Sequence, residues 1–188
     1  MLNRNEAVRL WRTYNHDDSL FRHALSVEAA LRRFALRYGE DPDWWGLVGL
    51  LHDIDYERWP AEHLKHARVI LAEAGLPEDF IRAVESHGWG LCTEVEPKSD
   101  MEKVLFAVDE LTGFIAACAF VRPSRSVLDM EVKSVRKKWG AAAFAAKVDR
   151  QVIEKGAGML GLPLDELIQE TILALRDSAE AVGLKGTL

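Results

Sequence analysis

From Asp100 to Phe120 the chain runs through a long apolar stretch that stops before Pro123, and a carboxylate sits in its middle. Asp109 has Leu105, Phe106, Ala107, Val108, Leu111 and Phe114 for neighbours. A carboxylate in such company is costly to bury unless it is paired, protonated or bound to a metal. The segment therefore asks for two things at once: a fold that covers an apolar helix, and a partner for Asp109. Glu110, beside it, is expected to point elsewhere on the helix.

The remaining pattern is helical nearly throughout, and no segment shows convincing strand alternation. A first helix is expected around Glu6–Tyr14. Asp17, Asp18 or Ser19 can cap a second, with Leu20, Leu25, Val27, Ala30, Leu31 and Phe34 on its apolar face and Gly39 at its end. A third follows Asp41-Pro42 and runs to about Leu51, with proline at a first-turn position. Asp53–Pro60 is too polar and aromatic to continue it, and Pro60 resists a helix interior. Further helices are expected over Ala61–Ala74, from Pro77 to about His87-Gly88, and over Asp100–Phe120. Gly88–Ser99 and residues 122–130 connect them. Glu131–Trp139, Ala142–Leu160 and Pro163–Val182 complete the chain. The fold class is all-α, a globular helical bundle forming one domain over residues 1–188.

Composition removes several classes of function. A net charge of −6 argues against nonspecific binding to a nucleic-acid polymer, which needs a positive surface. The two cysteines, Cys92 and Cys118, lie far apart with no metal-type spacing, so a disulfide framework is not expected and a reducing cytoplasm is. No apolar stretch follows Met1–Glu6, and no run approaches the length of a membrane span. A monomer or homodimer without membrane partners is expected.

The chemistry gathers at His52-Asp53, which ends the apolar run Leu47–Leu51. His23 precedes it among Phe21, Ala24, Leu25 and Val27; Asp109 follows it; His63 and His87 fall between. Imidazoles and carboxylates together suit divalent Zn, Mn, Fe, Co, Ni or Mg. The set reads as a metal site built across several helices. There is no serine in a nucleophile elbow, no P-loop, and no cysteine beside a histidine in sequence.

The order His23, His52-Asp53, Asp109 resembles the HD superfamily of metal-dependent phosphohydrolases. Leu51-His52-Asp53-Ile54-Asp55 is similar to its HDIG subclass, with Asp55 in place of the usual glycine. Glu62–Leu71 looks like the subclass segment that begins His-Pro and ends Ile-Leu, and His87-Gly88 looks like its next histidine. Asp109–Phe114 and Phe144–Arg150 are similar to a small bacterial single-domain branch. The core motifs cover roughly residues 20–115. The resemblance implies a primary metal held by His23, His52, Asp53 and Asp109. It also implies, in two-metal members, a bridging Asp53 with two more histidines on a second ion. His63 and His87 are the best matches. His66 competes with His63, from which it lies one helical turn away, and the Ile70-Leu71 pair favours His63.

The activity implied is hydrolysis of a small phosphorylated compound, a nucleotide among the candidates, by water activated on one or two divalent ions. Asp53 belongs to the catalytic group as bridging ligand, and Asp55 or Glu57 could accept a proton or orient the water. Arg22, Lys65, Arg122, Lys133, Arg136, Lys137, Lys138 and Arg150 are candidates for holding the phosphate; the alternative for each is a solvated helix face. Trp44, Trp45, Trp59 and Trp89 offer either packing or a stacking surface for a base. Two other readings stay open: a di-iron oxygenase of HD type, and a metal-binding module with a regulatory or structural role.

Overall fold

Helix boundaries in the computed structural model, which describes residues 2–187, follow from side chains that satisfy the helix ends. Asn3 and Glu6 close a capping box on α1 (Arg4–Tyr14). Asp17 accepts from the backbone of Ser19 and Leu20 to open α2 (Asp18–Tyr38), and Gly39, at φ 74°, ends it. Asp41 opens α3 (Pro42–Leu51). Then come α4 (Ala67–Glu73), α5 (Glu78–Ser86) and α6 (Asp100–Phe120), the last opened by a Ser99–Glu102 capping box. The chain closes with α7 (Val132–Trp139), α8 (Arg150–Leu160) and α9 (Leu164–Asp177). No strand occurs among the described residues. The fold is all-α.

The α6 helix is the axis. Val104, Leu105, Ala107, Val108, Leu111, Phe114 and Ile115 are buried along it, and α2, α5, α7, α8 and α9 all touch it. α8 comes close because Gly156 rests on Ala107: a Cβ at Gly156 would lie 2.6 Å from the Ala107 Cβ. α2 and α3 form the most extensive helix pair. There a Cβ added to Gly49 would meet the backbone of Val27 and Glu28 at 2.9 Å. That close approach brings the end of α3, with His52 and Asp53, against the middle of α2. No described helix is long and apolar enough to cross a membrane.

Three expected helices are shorter than their sequences suggest. In place of Ala61–Ala74 there is a 3-10 turn at Pro60–Glu62, then Leu64 at φ 68°, and regular helix only from Ala67. The Asp55 carboxylate explains the late start, because its Oδ2 accepts from the backbone N–H of both His66 and Ala67 and so fixes the first turn there. In place of Ala142–Leu160 there is helix only from Arg150. The Arg150 guanidinium donates to the carbonyls of Ala141 and Phe144, and Ala145 takes a φ of 46°, so the alanine-rich run folds as turns. Likewise α9 ends at Asp177, not Val182, and turns carry the chain on to Gly183.

The Gly49 contact sets an expectation. Gly49→Ala must push two backbones apart and is expected to cost about 1–3 kcal/mol. A urea or thermal unfolding midpoint equal to that of the parent protein would refute this account of the α2–α3 approach.

Candidate metal centre

Six donors converge on one point from five places in the chain. His23 comes from α2, His52 and Asp53 from the end of α3, and Asp109 from α6. His63 follows the 3-10 turn, and His87 follows α5. The imidazoles are not free to turn. The Nδ1 of His52 bonds the Gly49 carbonyl at 2.7 Å, and that of His87 bonds the Val84 carbonyl at 2.6 Å. His63 Nδ1 bonds Asp55 Oδ1 at 2.9 Å, and His23 Nδ1 lies 3.4 Å from the Thr112 hydroxyl. A carbonyl or carboxylate on Nδ1 requires the proton there, which leaves the Nε2 lone pair available as a ligand.

All four Nε2 atoms face the carboxylates. Asp53 Oδ2 lies 3.4 Å from His52 and 3.8 Å from His23. Asp53 Oδ1 lies 3.3 Å from His63 and 3.6 Å from His87. The two oxygens of one carboxylate thus face two separate pairs of histidines. Asp109 Oδ1 closes the first group, 2.9 Å from His23 and 3.3 Å from His52. In the second, the Nε2 atoms of His63 and His87 are 3.2 Å apart.

The fit to a cation can be judged at His52. It is fully buried, yet its Nε2 forms no hydrogen bond, although two carboxylates stand within ionic reach. It points between them, where a bound divalent ion would satisfy all three groups. Without metal, a proton on His52 would answer the same charges. Burial opposes a charge on His52, but Asp53 and Asp109 outweigh burial and raise its pKa well above the ordinary value. Burial likewise works to raise the Asp53 and Asp109 carboxyls, yet the surrounding imidazoles hold both well below the usual carboxylate range.

The carboxylates just beyond the ligands have other work. Asp55 is fully buried; its Oδ1 holds His63, and its Oδ2 accepts the two N–H groups that open α4. Its oxygens are occupied, so it positions a histidine and is not placed to accept a proton from water. Glu57 Oε2 accepts the backbone N–H of His16 and of Asp17, at 2.7 and 2.9 Å. It pins the loop after Asp53 to the junction of α1 and α2. Asn15, buried beneath, adds a bond to the Ile54 carbonyl at 2.8 Å. His66 turns away, stacked on Trp59 with ring centroids 4.2 Å apart and 3.3 Å from Glu62.

Five of the donors, all but the fully buried His52, line the floor of a cleft of about 350 Å³. None of the arginines or lysines expected to hold phosphate lines it. Arg122 binds Asp129 and Ser134. Arg150 holds the carbonyls described above and lies over the Phe114 ring. Lys133 pairs with Glu131, Arg136 with Asp165, and Lys138 sits over Phe144. Lys65 and Lys137 are exposed away from the cleft. Arg22 lies against Gly183 in a small neighbouring cavity that also touches His23. The tryptophans are absent from the lining too. Trp44 packs on Phe80, Trp45 on Tyr38, Trp59 on Tyr14 and His66, and Trp89 on Phe106 beneath Lys155.

The cleft contains residues that the sequence did not mark. Glu110 lines it beside Asp109, and burial, with the Asp109 charge second, pushes its carboxyl up to about 7. A one-residue step turns a helix by about 100°, which suggests opposite faces; but the cleft is wide, and Gly113, one turn on, leaves it open. Tyr56, Leu91 and Cys92 stand at the same cleft.

Because the His52 pKa is raised in the folded metal-free protein, that proton stabilises the fold below the ordinary histidine pKa, and the contribution is lost as pH rises through the elevated value. Chelated protein is therefore expected to lose thermal stability as pH rises above neutrality, since the buried Asp53 and the partly buried Asp109 then stand together without a cation. An added divalent ion should abolish that loss. Identical pH–stability curves with and without metal would count against a cation at this point.

Comparison with known proteins agrees with this geometry. A family model, the HD domain, matches residues 20–113, half of the chain, and the matched span holds all six converging donors. No curated protein and no solved structure matches the chain. The matched family is of the metal-dependent hydrolase type, its members typically phosphohydrolases. The chain belongs to the HD-domain family.

Proposed function

We propose that the protein hydrolyses the phosphate ester of a small molecule with water activated on divalent metal. One observation carries the reading: the two oxygens of Asp53 face two separate pairs of Nε2 atoms, each imidazole tethered through Nδ1. His23, His52, Asp53 and Asp109 would hold one ion; Asp53, His63 and His87 would hold a second. Metal bound there supplies a water of lowered pKa and neutralises phosphoryl oxygens. The chain's own residues do the rest. The tethered imidazoles keep the ligands in register. Asp55 holds His63 in its orientation and takes no proton. Glu110 lines the cleft beside Asp109, with a half-buried carboxyl, and would stand where a departing alkoxide needs a proton.

Elemental analysis of the protein as isolated, followed by assay with Mn, Mg, Co or Ni on para-nitrophenyl phosphate and a nucleotide panel, tests the reading. Metal without hydrolysis of any phosphate ester would sink it. The same paired donors would serve a di-iron oxygenase, so oxygen uptake is followed in parallel; iron with oxygen uptake would replace the hydrolase reading. Removing Asp53, the shared ligand, as Asp53→Ala should abolish activity and lower metal content, whereas Glu57→Gln should reduce stability and leave metal content intact. Glu110→Gln should lower kcat about 10²-fold, the usual scale for a positioned acid. It should also change the alkaline limb of the pH–rate profile. A parental pH profile in that variant would exclude Glu110 as the proton donor.

A further inference from the structure

The cleft walls carry information about the substrate that the metal ligands do not. Above the floor the lining is apolar: Leu20, Tyr56, Leu91, Val148 and Val152. Two of these are held open to solvent, Leu91 at 65 % and Tyr56 at 44 % exposure, although most large apolar side chains of this chain are buried. Tyr56 stands edge-on to His63, with centroids 5.1 Å apart, so the apolar wall begins beside the metal ligands. The charged side chains of the lining are all acidic or imidazole: Asp53, Asp109 and Glu110 with His23, His63 and His87. No lysine or arginine among the described residues lines the cleft.

Charge then decides between phosphate classes. Two divalent ions would exceed the charge of Asp53 and Asp109 by two, a bound hydroxide would leave one, and a monoester dianion already meets that excess. Each further phosphate of a diphosphate or triphosphate would bring negative charge into a lining that holds no lysine or arginine to meet it. Enzymes that take polyphosphates commonly supply such cations from the chain. The organic half of the substrate faces aliphatic and aromatic walls, where burial of apolar surface is the available source of affinity.

We infer that the substrate class is a phosphate monoester of an apolar or aromatic alcohol, with Leu91 and Tyr56 as specificity residues, and that diphosphates and triphosphates are excluded. This rests on the phosphohydrolase reading for its chemistry, while the ligand preference stands on the cleft walls. The reaction it implies is hydrolysis of the monoester by water, which cleaves the phosphorus–oxygen bond, passes a proton to the departing alcohol and leaves inorganic phosphate.

Two measurements on the metal-loaded protein test it. In the first, kcat/KM for 1-naphthyl phosphate is compared with that for ADP and ATP. A preference of at least about tenfold for the monoester is expected, and equal or better use of the nucleotides overturns the inference. In the second, calorimetry compares phenylphosphonate with methylphosphonate, which share a headgroup and differ in apolar surface. Phenylphosphonate should bind at least about tenfold more tightly, and Leu91→Ser should remove a severalfold part of that difference. The same variant should raise KM for 1-naphthyl phosphate more than it changes kcat. Equal binding of the two phosphonates overturns the inference. Tight phenylphosphonate binding without hydrolysis of any ester would instead remove the phosphohydrolase reading and leave the ligand preference in place.

Discussion

Every part of the metal centre depends on what holds the far side of each imidazole. Four histidines present Nε2 to the same carboxylates because four Nδ1 atoms are engaged elsewhere, by two main-chain carbonyls, one carboxylate and one threonine hydroxyl. A histidine free to rotate would cost side-chain entropy on binding a metal. Here folding has already removed that freedom. The two carbonyls come from the last turn of α3 and the last turn of α5, where helix ends leave carbonyls without internal partners. Helix termination and ligand orientation are thus one event at His52 and again at His87.

The helices are positioned by equally local means. Gly49 lets α3 lie on the backbone of α2, and Gly156 lets α8 lie on α6. The first contact brings the residues after α3 toward His23, while the second keeps α6, with Asp109, in a packed wall. Between them runs the loop from Asp53 to Trp59, held by Asn15 beneath and by Glu57 at its far end. The donors from α2, α3 and α6 form the rigid half of the centre. The other half, His63 and His87, stands on turns. Leu64 at φ 68° lies against Gly88, and a Cβ at Gly88 would fall 2.6 Å from a Leu64 methyl.

Much of this was legible in the sequence, and the limits were physical. The span Asp100–Phe120 was readable because apolar content, a serine before it and a proline beyond it all agree, and the same holds for α2 between Asp17 and Gly39. The order of His23, His52-Asp53 and Asp109 pointed to the family because ligand order survives where the surroundings change. Long-range side-chain to main-chain bonds were not readable. Asp55 starts α4 from a distance, and Arg150 takes carbonyls that an alanine-rich helix would have used, so both helices begin later than local propensity suggests. The basic residues misled for a related reason. Arg122, Lys133 and Arg136 cluster in sequence, but each is claimed by an acidic neighbour in space. Glu110 was missed because a helical wheel assigns faces without knowing how wide a cleft will be.

Asp55 ties one of the candidate metal ligands to the interior of the fold. Its carboxylate is sealed in the interior with three donors around it: the His63 ring and two main-chain amides. Losing His63 would strip a buried anion of one of its three donors, and losing Asp55 would leave an imidazole and two amides unanswered. The two members are therefore coupled, in the sense that a double change should cost less than the sum of the single ones. The orientation of His63 is thus set by an anion that the interior cannot leave without its donors.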